Sequence, residues 1–154
     1  MTRLRVTALL CLGALGLTAC GENRSVAANP KICFDFKAPK TAAPIAGDDG
    51  AAGVEDCVRR WAYSLAPARD PADAVAGAVA EACSVQLTRW NRQTLSQPIG
   101  GESASASIVT GEPTTPLGEH NAFTHARALF YVVQARAGAC APPPATNGVP
   151  AGIS

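Results

Sequence analysis

The chain has 154 residues, six cysteines, 16% charged side chains, 5% aromatics and a formal net charge of +1. That length holds one domain, and the near-balanced charge gives no electrostatic case for nucleic acid as a partner. A large multidomain enzyme, a disordered polyelectrolyte and a multi-span membrane protein are excluded, while six cysteines in so short a chain point to an oxidising compartment.

In chain order, residues 1–19 read as an export signal. Arg3 and Arg5 give a positive start, and Val6 to Leu17 form an uncharged apolar run. That run is too short for a membrane span, which needs about 20 residues, but it suits a signal core. Leu17-Thr18-Ala19-Cys20-Gly21 follows. It resembles the lipobox of bacterial lipoproteins: an aliphatic residue, two small ones and a Cys. The resemblance covers the first 21 residues only and identifies no family for the rest. It implies cleavage before Cys20, a thioether-linked diacylglycerol on its sulfur and acylation of the new amino terminus. Two or more acyl chains anchor stably where one does not. It also implies a cell-envelope location, with Gly21 favouring the outer membrane over the inner because no Asp-type retention signal follows the Cys. An alternative cut after Ala27, at Ser25-Val26-Ala27, would instead release a soluble protein. Removing residues 1–19 takes away two arginines and no acid, so the balance moves from +1 to −1.

Residues 20–30 then serve as the lipidated Cys and a tether, 31–140 as the single domain, and 141–154 as a flexible tail. Ile32, Phe34 and Phe36 alternate with Cys33 and Asp35, which predicts a short extended segment. Residues 38–52 read as loop. Val54, Cys57, Val58, Trp61, Ala62 and Leu65 form one helical stripe. Glu55–Arg59 and Asp56–Arg60 are i,i+4 pairs on its outer side, with both acids in the first turn. Asp70-Pro71 reads as N-cap and first residue of a second helix running to about Gln93. Its inner side carries Val75, Ala76, Val79, Ala82, Cys83, Leu87 and Trp90, and Ala74, Gly77, Ala78 and Ala80 keep it slim for a close neighbour. Residues 96–114 read as structureless, with a weak strand of Ser103 to Thr110 beside Ile32–Phe36 as the less favoured alternative. Thr115-Pro116 starts a third helix, ending at Gly138, whose apolar arc is Ala122, Phe123, Ala126, Leu129, Phe130, Val133 and Ala137. The fold class is therefore mainly α: a small disulfide-stapled domain with an antiparallel helix hairpin, a third helix and a short extended N-terminal segment.

Four cysteines remain for bridges. Cys57 and Cys83 lie equally far from the Asp70 turn, so antiparallel helices put them at one height and Cys57–Cys83 is the expected pair; Cys33–Cys140 follows by elimination. In the chain-entropy description the two bridges contribute roughly 3.5 and 4.8 kcal/mol. No C-x-x-C exists for redox or zinc chemistry.

For function, His120 and His125 stand five apart, about 140° around a helix, and converge on no metal. No cofactor is implied. Arg89, Trp90 and Arg92 form the best candidate binding surface, since Trp beside Arg is a composition enriched at interface hot spots; the plainer reading is that Trp90 continues the inner stripe. The expectation is an envelope lipoprotein with a non-enzymatic binding or structural role, its partners the membrane through Cys20 and an unidentified envelope protein. A small secreted or anchored hydrolase, or a hydrolase inhibitor, is the alternative.

Overall fold

A computed structural model describes residues 27–36, 50–96, 105–107 and 110–153. The signal peptide, Cys20, most of the tether and the 38–49 loop lie outside the described residues. The domain is mainly helical. Its elements are α1 (Gly50–Leu65), α2 (Ala72–Ala82), α3 (Ser84–Ser96), β1 (Ser105–Ala106), β2 (Pro113–Thr114), α4 (Pro116–Gly138), β3 (Ala145–Thr146) and β4 (Val149–Pro150).

Helix α1 is the centre of the domain, touching α2, α3, α4 and β4. Val54, Cys57, Val58 and Ala62 of its expected stripe are buried, with Trp61 and Leu65 partly so. It is covered on its other side as well. Tyr63 is fully buried, and Arg60 is only 6% exposed. The two i,i+4 ion pairs form, but they are not a solvated outer face: Arg60 holds Asp56 at 2.6 Å and also donates to the Ala151 carbonyl. The acids are also not in the first turn, because α1 starts at Gly50. Gly50 is needed there, since a Cβ would run into the Trp90 ring.

The expected second helix is two helices. Cys83 leaves the helical path with φ −101° and ψ 12°, and its amide is shared between the Val79 and Ala80 carbonyls. Apolar spacing runs straight through this break, which is why the sequence pattern did not mark it. The start of α2 is also one residue later than expected. Pro71 holds the N-cap position with no side-chain cap, and the Asp70 carbonyl instead accepts from Arg136. Three of the four small residues expected to admit a neighbour do not: Ala74 and Ala78 are exposed, and a Cβ at Gly77 would meet nothing within 4 Å, while Ala80 is partly covered. Val75, Ala76 and Val79 make its buried side.

Helix α4 starts as expected, with the Thr115 hydroxyl accepting from the Gly118 amide and Pro116 following. Its buried face is not the expected arc. His120, Thr124, Ala128, Tyr131, Val132, Ala135 and Gly138 face inward. Ala122, Ala126, Phe130, Val133 and Ala137 are exposed, and Phe123 and Leu129 are partly covered. Small residues let α4 approach α1 and α2 closely, and the polar ones find partners on α1 (Tyr131 with Glu55), on α3 (His120 with Asn91) and within α4 (Thr124 with the His120 carbonyl). Arg136, near its end, donates to the carbonyls of Ala66, Ala68 and Asp70 and so holds the α1–α2 turn.

Both disulfides form as expected, Cys57–Cys83 with Cα atoms 5.9 Å apart and Cys33–Cys140 with 5.3 Å. The N-terminal segment is a turn rather than an extended strand. The Asn29 carbonyl accepts from the amides of Ile32 and Cys33, and its side chain accepts from Lys31 N. Asn29-Pro30 is a turn signature that the alternation of Ile32, Phe34 and Phe36 masked. A short strand within Ser103–Thr110 does form but pairs elsewhere: β1 joins β2 in a local antiparallel ribbon.

The C-terminal residues are not a loose tail. β3 and β4 form a hairpin around Asn147 and Gly148, both with positive φ (51° and 79°). Asn-Gly is the preferred pair for a two-residue hairpin turn, so this signal was present in the sequence. Pro150 is buried and Gly152 lies against the Arg60 guanidinium.

Candidate binding surface

Among the described residues, rings and guanidinium groups alternate in a ladder at the surface. Arg59 stands over the Phe34 ring at 4.8 Å and over the Tyr131 ring at 4.9 Å. Arg127 stands over Tyr131 at 4.9 Å and over Phe130 at 5.2 Å. The order is thus Phe34, Arg59, Tyr131, Arg127, Phe130. It is assembled from the N-terminal turn, α1 and α4. Each cation–ring contact contributes about 0.5–1 kcal/mol at such half-exposed positions.

Glu55 locks the middle rungs. Its Oε1 accepts from Arg59 at 3.2 Å, from Arg127 and from the Tyr131 hydroxyl. Partial burial by itself would raise the Glu55 carboxyl. The hydrogen bonds from Tyr131 and Arg127 and the two neighbouring cations outweigh it and hold the group below its ordinary value. Burial and the bond to Glu55 push the Tyr131 hydroxyl up, so it stays a donor. The cluster is an ionic plinth whose two ends are partly exposed phenyl rings.

Those ends join a larger apolar face. Phe130 and Val133 are 51% and 50% exposed, Phe34 38% and Ile32 36%. Gln134 donates to the Ile32 carbonyl, and Tyr63 accepts from the Phe34 amide, which fix the turn against α4 and α1. The Cys33–Cys140 sulfurs lie against Gly138, where a Cβ would come within 2.7 and 2.9 Å of them.

The residues singled out from sequence are placed differently. Trp90 turns inward: it stacks on His120 with centroids 3.6 Å apart and meets Phe123 edge-on. This is the plainer reading of the Arg89-Trp90-Asn91-Arg92 segment. Arg89 and Arg92 are exposed and line a shallow groove with Ser84, Val85 and Thr88. All five belong to α3, so the groove lacks a second wall, unlike the concave sites that enclose small ligands. The two histidines diverge as their spacing requires. His120 is 8% exposed, is pushed below its ordinary value by burial, and has its Nδ1 2.7 Å from Asn91 Oδ1. His125 lies at the surface with Nε2 3.5 Å from Asp73. Cys33, Cys57, Cys83 and Cys140 are all bridged, and Cys20 lies outside the described residues.

Sequence reading missed Arg59, Arg127 and Tyr131 as a unit. Arg127 and Tyr131 stand at i,i+4, a visible signal, but Glu55–Arg59 was read as an isolated surface pair. Among the described residues no helix is long and apolar enough to cross a membrane, and no group of three His, Cys, Asp or Glu side chains is placed to hold a metal ion. Comparison of the chain with known protein families, characterised proteins and solved structures finds no match.

Proposed function

We propose that this protein is an envelope lipoprotein, held to a membrane by acyl chains on Cys20, whose domain acts by binding or structural support rather than catalysis. The observation that carries this is the accounting of cysteines. Cys33, Cys57, Cys83 and Cys140 are bridged to one another. Cys11 lies in the signal core, so Cys20 is the odd cysteine of the mature chain, directly after Leu17-Thr18-Ala19. Acylation gives it a use that disulfide pairing within the chain does not. Gly21 at the next position favours the outer membrane as the destination.

Metabolic labelling with an alkyne fatty acid tests this reading. The expected result is label and membrane fractionation for the natural chain, both lost in Cys20→Ala. A Cys20→Ala protein that still carries label and still sediments with membrane overturns it.

A further inference from the structure

We infer that the face carrying Ile32, Phe34, Phe130 and Val133 seats in the interfacial layer of the bilayer, so that the domain lies on the membrane instead of standing off it. The inference rests on the proposed acylation of Cys20. Eight residues lie between Cys20 and Asn29, and the nine Cα steps fully extended reach at most about 32 Å. Where that chain enters the fold is fixed: the Asn29 amide donates to the Gly138 carbonyl at 2.9 Å, and Cys33 is bridged to Cys140. The anchor therefore delivers the domain by the end of α4, beside the exposed apolar face.

The chemistry of that face suits a lipid surface. Its four large apolar side chains are one-third to one-half exposed; the Gln134–Ile32 hydrogen bond ties the turn that carries two of them to the helix that carries the others, and the ring–guanidinium ladder runs from Phe34 to Phe130. Exposed apolar side chains gathered at one end of a helix and the turn tied to it suit an interaction surface. Rings entering the acyl boundary with guanidinium groups at phosphate depth is the arrangement of interfacial anchors. Lys31, Arg59 and Arg127 stand there against Asp35 and Glu55, so the charge is a mild +1 and apolar contact does the seating. A second copy is less favoured as occupant. Beyond Phe130 and Val133 the outer side of α4 offers Ala122, Ala126 and Ala137, little area against the roughly 800 Å² per partner of a standard interface. The bilayer, by contrast, is within tether reach at all times, which makes docking effectively intramolecular.

The test uses the full chain, exported and processed in a bacterial host, then reconstituted in phosphatidylethanolamine–phosphatidylglycerol vesicles. Mass spectrometry of the purified protein first reads the acyl groups on Cys20. Phe130→Trp is then compared with Thr88→Trp, an exposed position on α3, using lipids brominated high in the acyl chain. The expected result, after subtraction of the emission of Trp61 and Trp90 in the natural chain, is that the added emission from 130 is quenched severalfold more than that from 88. Acylated protein in which the two are quenched equally overturns the docking while leaving the anchor intact. Shielding of 130 without quenching, together with chemical crosslinking of two copies, assigns the face to a second copy and also overturns it. A mass without acyl groups overturns the lipidation reading and this inference with it.

Discussion

The two faces of α4 differ in the opposite sense to their hydropathy. The inward face holds a histidine, a threonine, a tyrosine, a glycine, two alanines and a single valine; the outward face includes Phe130 and Val133. Burial on this helix follows volume and available partners. Ala128, Ala135 and Gly138 permit close approach to α1, α2 and the Cys33–Cys140 bridge, and each polar group that goes inside is met. His120 meets Asn91, the Thr124 hydroxyl donates to the His120 carbonyl, and Tyr131 meets Glu55. A helix apolar on both sides is expected to bury both. Only one is covered among the described residues.

The largest effect should come from releasing the bridge at the end of that inward face. Cys33→Ser combined with Cys140→Ser opens a loop of 107-residue separation and frees the turn that covers Tyr63 and Gly138. A loss of about 4 kcal/mol is expected in urea unfolding, toward the upper end for native bridges. A loss under about 1 kcal/mol would mean that hydrogen bonds alone hold the turn to α4.

Overpacking compares the faces directly. Ala128→Leu, fully buried, should cost about 1–3 kcal/mol. Ala126→Leu, one half-turn away and exposed, should stay within about 0.5 kcal/mol. Equal costs would show that both faces are packed and would remove the contrast.

Much of the interior was legible because it obeys simple periodicity. The α1 stripe, the Thr115 cap and the matched heights of Cys57 and Cys83 each follow from one local rule. What escaped was set by tertiary partners. Amphipathic reading assigned the α4 core by apolarity, whereas Tyr131 and His120 are inside because Glu55 and Asn91 receive them. Likewise Arg60 looks like a solvated helix residue until the β3–β4 hairpin closes over it. The break at Cys83 leaves no trace in apolar spacing, yet it separates α2 from the helix whose Trp90 lies against Gly50 and His120. The ladder was unreadable for the same reason: its five members come from three separate segments.

Tyr131→Phe sharpens the comparison by keeping the ring and deleting the inward hydrogen bonds. Glu55 would lose a donor and keep its guanidinium partners, so a cost of about 1–2 kcal/mol is expected. The Glu55 carboxyl should also rise toward its ordinary value. Because its folded value is depressed, its stabilisation is present above about pH 4.5 and lost on acidification. The acid limb of a stability profile should therefore still begin near pH 4.5 but be smaller, and level off at higher pH, in the variant. A profile unchanged in shape would show that the two arginines alone hold that carboxylate.

The smallest effect is at the other end of the inward face, and it is separable by pH. His120 is held below its ordinary value of 6.5 by burial under Trp90. As pH falls below about 6.5 the unfolded chain takes up that proton first, so stability declines until the folded value is reached and then levels. Glu55 acts only further into acid, so the interval from about pH 7.5 to 5.5 is where the contribution of His120 is read. His120→Phe keeps an aromatic ring against Trp90 and removes the proton. Its melting temperature starts lower for want of the Asn91 bond, and it should decline less across that interval than the natural protein's. The same decline in the variant would place the titrating group elsewhere. The polar residues of the inward face would then owe their burial to shape alone.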